Sequence, residues 1–133
     1  MSQLRSKPPA ILVVDDDAGL RESLSALLRS LDYRVSTAAN CAEALLELAA
    51  QPLDLVLTDI YMVGGDGLEL INAMRTLGHR IPIVAMSGGS LQFDTDHLEI
   101  ARRLGASATV AKPFRVAQLV ETIDRAAAGH LAA

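Results

Sequence analysis

The chain has 133 residues, half of them apolar and 21% charged, with a formal net charge of −4. That length suits one compact domain with a sizeable core and is too short for two. The acidic balance and the scattered aromatics Tyr33, Tyr61, Phe93 and Phe114 argue against direct nucleic-acid binding, which needs a basic face or a stacking platform.

No apolar run approaches the roughly 18 residues of a membrane span. Residues 1–9 are polar and lack a signal-type apolar core. They are expected to be a disordered tail before one domain over 10–127, with a short C-terminal tail at 128–133, no effector domain and a cytoplasmic location. Cys41 is the single cysteine, so no intramolecular disulfide forms, and it reads as a small residue opening a helix.

Strand and helix signals alternate along the chain. Ile11 to Val14 is an apolar strand running into Asp15-Asp16. Leu20, Leu24, Leu27, Leu28 and Leu31 then form one helical stripe, with Asp17 placed to cap it. Tyr33 to Thr37 alternates like a half-exposed edge strand. Asn40 and Glu43 form a capping pair before Ala44, Leu45 and Leu48. Pro52 closes that helix, and Leu53 to Thr58 is a strand running into Asp59.

Clustered glycines make Met62 to Gly67 a loop. Asp66 and Glu69 cap a third helix carrying Leu70, Ile71, Met74 and Leu77, which Gly78 ends. A fourth strand spans Ile81 to Met86 and meets Ser87. A polar loop leads to a short helix with Asp96 and Glu99 as capping pair and Gly105 as its stop. Ala108 to Ala111 runs into Lys112-Pro113, and Val116, Leu119, Val120 and Ile123 mark the last helix. Strands alternating with helices in this way give an α/β fold whose parallel sheet is covered on both faces.

In an open parallel sheet the strand carboxyl ends share one edge, where ligands bind. Asp15, Asp16, Asp59, Ser87 and Lys112 all fall there. Carboxylates held so close repel unless a proton or a divalent cation neutralises them. Hard oxygen ligands favour Mg²⁺, which keeps several waters and so leaves positions for phosphoryl oxygens. Lys112 is a point partner for a phosphate or carboxylate oxygen, Ser87 supplies a hydroxyl donor, and Gly88 leaves the approach open. A carboxylate nucleophile so flanked is equipped to form an acyl phosphate on Asp59. The peptide between Lys112 and Pro113 is of the type that can be cis.

Other polar residues have plainer readings. Asp17 and Asp66 fit helix caps better than ligands. Glu69, Glu99, Glu121, Arg102 and Arg103 fit solvated helix faces, and His79, His97 and His130 lack metal spacing.

Asp15-Asp16, Asp59, Ser87 and Lys112-Pro113-Phe114, in that order and at those spacings, resemble the receiver domain of two-component response regulators, over about residues 10–127. The resemblance implies a flavodoxin-like, doubly wound five-stranded parallel sheet with strand order 2-1-3-4-5. It implies phosphorylation of Asp59, with Mg²⁺ held by Asp16 and Asp59, by Asp15 through water, and by the backbone carbonyl of Tyr61. Ser87 and Lys112 would grip the phosphoryl group. The implied donor is a phosphohistidine on a sensor histidine kinase or histidine phosphotransfer protein, and the implied reader is a separate output protein. Neither nucleic acid nor membrane is an implied partner, and the chain would be a monomer or weak dimer with no enzyme activity beyond its own phosphorylation and dephosphorylation. Switching draws the loop after the fourth strand toward the phosphate and shifts an existing equilibrium at a distant face.

The chain departs from the family at four places. Val63 stands where proline is frequent, beside a loosening Gly64-Gly65. Thr109 occupies the position of a switching Tyr or Phe and has no ring to swing, so any coupling from Ser87 takes another form. The loop from Gly88 to Asp96 is longer than in the shortest receivers. Tyr61 and Gly89, each two residues past a pocket residue, imply slow loss of the phosphoryl group. Two alternative functions are a phosphorylation-independent docking module of the same fold and a small metal-dependent phosphatase. The run Asp15-Asp16-Asp17 fits a phosphatase nucleophile loop, but the late acidic pair of such enzymes is missing.

Overall fold

The computed structural model describes residues 8–62, 67–87 and 99–132. Strands β1 (Ala10–Val14), β2 (Arg34–Ala38), β3 (Leu55–Asp59), β4 (Ile83–Ser87) and β5 (Ala108–Ala111) form one parallel sheet in the order β2-β1-β3-β4-β5. The helices are α1 (Ala18–Ser30), α2 (Cys41–Ala50), α3 (Gly67–Thr76), α4, helical at 99–104, and α5 (Val116–Ala132). This is the flavodoxin-like, doubly wound arrangement with strand order 2-1-3-4-5.

Central parallel strands need apolar side chains on both faces because helices cover both. β1, β3 and β4 are accordingly buried at every residue, while the edge strands β2 and β5 are mostly half-buried or exposed. Alternation along each strand divides the core in two. Leu12, Val14, Val56, Ile83 and Ala85 pack with Ala44, Leu48, Leu70, Ile71 and Met74 beneath α2 and α3. Ile11, Val13, Leu57, Val84 and Met86 pack with Leu24, Leu28, Leu119 and Ile123 beneath α1 and α5.

The caps follow the side-chain chemistry. Asp17 Oδ1 accepts from the Leu20 N–H at 3.1 Å, and Asn40 Oδ1 accepts from the Glu43 N–H at 2.9 Å. Glu43 Oε1 in turn accepts from the Ala39 N–H. Elsewhere the apolar stripes overrun their helices. Leu31 is the C-cap of α1 and 41% exposed, and Leu77 lies past the end of α3 and is 65% exposed. Val116 opens α5 with its side chain exposed, and Val120 is only half-buried. Thr122 is buried there instead, its hydroxyl donating to the Gln118 carbonyl.

At the C-terminus α5 continues to Ala132, so residues 128–132 are helical rather than a tail. At the other end the carbonyls of Pro8 and Pro9 accept from Arg34, which ties them to β2. The caps Asp66 and Asp96, the departures at 63–65 and the loop at 88–96 lie outside the described residues. No described helix is long and apolar enough to cross a membrane.

Candidate functional site

The parallel register aligns the carboxyl ends of four strands. Val14 pairs with Thr58, Asp59 with Met86 and Ser87 with Ala111. Asp15, Asp59, Ser87 and Lys112 therefore meet at one sheet edge. Carboxylate oxygens of Asp15, Asp16 and Asp59 all lie within 4.8 Å of one another, Asp15 and Asp59 buried and Asp16 exposed. Lys112 Nζ stands 3.3 Å from Asp59 Oδ2 and 3.5 Å from Asp15 Oδ2.

Short backbone bonds fix these side chains. Asp15 donates its N–H to Ala38 O, and its Oδ1 accepts from the Asp17 N–H at 3.0 Å. The Ile60 N–H reaches Met86 O and the Tyr61 N–H reaches Asp59 Oδ1. The Lys112 N–H donates to the Ser87 carbonyl, and the Lys112–Pro113 peptide is cis. Tyr61, whose carbonyl is the expected further ligand, follows this turn and is 38% exposed.

Gly67 belongs to this construction and was not legible as a site residue. Its N–H donates to Ile60 O at 2.8 Å, and a Cβ there would stand 2.2 Å from the Asp59 carbonyl oxygen and 2.8 Å from Ile60 Cα. Only glycine lets α3 begin this close to the backbone of Asp59. The available signal was a glycine at the last position before an apolar helical stripe.

Thr109 stands apart from the pocket. It is half-buried on β5, and its Oγ1 accepts from the Arg102 guanidinium on α4 at 3.0 Å. Arg102, read from sequence as a solvated side chain, thus reaches across to the next strand.

Burial pushes the Asp59 carboxyl above its ordinary range; the Lys112 ammonium opposes the rise and the Asp15 charge adds to it. Two buried oxygens here, Asp15 Oδ2 and Ser87 Oγ, have no hydrogen-bond partner among the described residues. Buried polar atoms left in that condition are costly and uncommon. Three carboxylates facing one ammonium leave an acidic, all-oxygen pocket. That donor set and its oxygens without hydrogen bonds fit a hard divalent cation together with an oxyanion that a hydroxyl and a lysine can hold.

Comparison with known proteins agrees with this geometry. The family model described as response regulator receiver domain matches residues 11–124. Sporulation initiation phosphotransferase F of Bacillus subtilis (strain 168) is 30% identical over 115 residues, covering 86% of this chain and 90% of that protein. The C4-dicarboxylate transport transcriptional regulatory protein DctD of Rhizobium meliloti (strain 1021) is 33% identical over 121 residues, 91% of this chain but 26% of that protein. The chain spans 26% to 48% of the length of the first curated relatives it matches. Among solved structures, the receiver domain of NtrX from Brucella abortus superposes with a TM-score of 0.82 at 29% identity, covering 89% of this chain and 98% of that one. With a matching family profile, a shared strand order and an acidic pocket at the expected sheet edge, the chain belongs to the response regulator receiver domain family.

Proposed function

We propose that this receiver accepts a phosphoryl group on Asp59 in a Mg²⁺-dependent reaction and changes its binding to an output partner as a result. The observation that carries this reading is the pair of buried oxygens without hydrogen-bond partners among the described residues, Asp15 Oδ2 and Ser87 Oγ, at the edge where Lys112 meets Asp59. The donor is a phosphohistidine of a sensor histidine kinase or a histidine phosphotransfer protein. Similarity to a protein named a phosphotransferase, over most of its length, supports a place in a phosphorelay.

Asp16, Asp59 and the Tyr61 carbonyl would hold the ion, with Asp15 acting through water. When bound, it would neutralise the carboxylates and the charge on the phosphoryl oxygens. A carboxylate oxygen of Asp59 attacks phosphorus while the P–N bond to the donor imidazole breaks, its electron pair leaving on the imidazole nitrogen. Lys112 is already beside the attacking carboxylate and moves from it to a phosphoryl oxygen. The Ser87 hydroxyl gains an acceptor. Hydrolysis of the acyl phosphate on the same residues returns the chain to its resting state, so each cycle is a signal and not a turnover of substrate.

The test is intact mass after incubation with Mg²⁺ and acetyl phosphate, run beside Asp59→Asn. One added phosphoryl group in the parent alone is the expected result. No addition together with no Mg²⁺ binding would leave the phosphorylation-independent docking module. Turnover of a generic phosphomonoester would instead favour the small phosphatase.

A further inference from the structure

The ladder of β1 stops at Val14, which pairs with Ala38 and Thr58. One residue on, the Asp15 N–H still reaches Ala38 O at 3.1 Å, but its carbonyl leaves the sheet and accepts from the Arg21 guanidinium at 2.8 Å. Arg21 is half-buried in the first turns of α1, and its own N–H donates to Asp17 O at 2.9 Å. The side chain folds back over the turn from which its helix starts. Among the described residues Arg21 forms no ion pair, so its charged head is spent on a backbone carbonyl.

The rest of the turn leans on this bond. With its carbonyl held, the Asp15 carboxylate keeps Oδ1 on the Asp17 N–H and leaves Oδ2 toward Lys112. Asp16, the exposed member of the cluster, sits between Asp15 and Asp17 in the same turn. We propose that Arg21 is a positioning residue for the metal pocket, holding the turn of Asp15 and Asp16 in the geometry that takes Mg²⁺. This rests on the metal-binding reading above and adds a residue outside the ligand set.

The sign of the effect separates positioning from charge. A guanidinium near a cation site repels the incoming ion, so charge alone predicts that neutralising Arg21 tightens Mg²⁺ binding. Positioning predicts the opposite, because the ion must then order a loosened turn. Groups that orient metal ligands typically carry about a ten- to hundred-fold share of metal affinity.

The experiment is calorimetric titration of the full chain with Mg²⁺, well below its unfolding temperature and with circular dichroism as a check on folding. Arg21→Met and Arg21→Gln both remove the charge, the first keeping the apolar stem and the second a shorter polar one. Binding about ten-fold weaker in whichever of these is folded is the expected result. Arg21→Lys, with its charge and one possible donor retained, should fall between them and the parent. Affinity equal to or tighter than the parent in a folded neutral variant overturns the role of Arg21 alone. A parent that binds no Mg²⁺ removes the metal reading of the pocket, and this inference with it.

Discussion

Lys112 Nζ lies 3.3 Å from Asp59 Oδ2, although the two residues are 53 positions apart. The same ammonium is 3.5 Å from Asp15 Oδ2, so one cation at the end of β5 serves carboxylates from β1 and β3. Lys112→Met would leave both acids buried without it. Removing one partner of a fully buried pair costs about 3–5 kcal/mol. The Lys112 side chain is 22% exposed, which screens the pair, so a loss of about 2 kcal/mol at neutral pH in chelator is expected. Added Mg²⁺ should restore part of it. Urea unfolding with and without the ion measures both, and an unchanged midpoint in chelator would show that water already compensates the two acids.

Asp59 carries a pH dependence of its own. Burial raises its carboxyl pKa, so the folded chain holds that proton more tightly than the unfolded chain does. Ionised Asp59 therefore costs stability at neutral pH, and the cost fades as pH falls through the raised folded value toward the unfolded one. Asp59→Asn removes it. In chelator at neutral pH the variant should melt roughly a few degrees above the parent, with the gap narrowing as pH is lowered. Mg²⁺ should raise the parent's Tm more than the variant's. A variant melting at or below the parent in neutral chelator would contradict the burial argument.

Gly67 links the third helix to the backbone of Asp59. In Gly67→Ala the new methyl meets the Asp59 carbonyl at 2.2 Å, so α3 or the end of β3 must move. Overpacking of this kind costs about 1–3 kcal/mol, and here the displaced atoms belong to Asp59 itself. Gly78→Ala is the control: its φ of +89 strains an alanine by about 1 kcal/mol, yet nothing lies within 4 Å of the added carbon. Both variants should lose stability, but Gly67→Ala alone should lose phosphoryl uptake from acetyl phosphate. Uptake at the parent's rate in Gly67→Ala would mean that the helix yields without disturbing Asp59.

The fold was readable because central parallel strands are buried on both faces and so appear as unbroken apolar runs. Each run also ended on a polar residue that costs stability unless the group works with others, which is why Asp15, Asp59, Ser87 and Lys112 stood out. Strand order came from the resemblance, since alternation in β2 marks an edge without saying which edge. The stripe residues Leu31 and Leu77 fall just past their helices, because a stripe counts apolar spacing and cannot see where the backbone leaves the helix, although Gly78 does mark the end of α3 with its positive φ. Thr122 and Ser25 were passed over as polar, yet each satisfies its hydroxyl on a carbonyl one turn back, at Gln118 and Arg21, and is buried. Gly67 and Arg75 were hidden for a further reason. Gly67 meets Asp59 only once the chain after β3 has turned back on itself, and Arg75 reaches the Gly105 carbonyl only after segments 30 residues apart have met.

Ser87 is the residue where stability and function should part most clearly. It is fully buried, and its Oγ has no hydrogen-bond partner among the described residues. A buried hydroxyl in that state costs about 1–3 kcal/mol relative to one that is paired. Ser87→Ala removes the oxygen and keeps the backbone carbonyl that accepts from the Lys112 N–H. The metal-free variant should therefore be as stable as the parent, or up to about 1 kcal/mol more stable. Phosphoryl uptake should slow by about ten- to a hundred-fold, because one of the two groups meeting the transferred oxygens is gone while Lys112 remains. Thermal unfolding in chelator and the rate of mass gain with acetyl phosphate give the two halves separately. A variant that is both less stable and equally fast would mean that the hydroxyl is held for the fold. The opposite pattern means that the Ser87 hydroxyl, without a partner among the described residues, is kept because the phosphoryl group satisfies it.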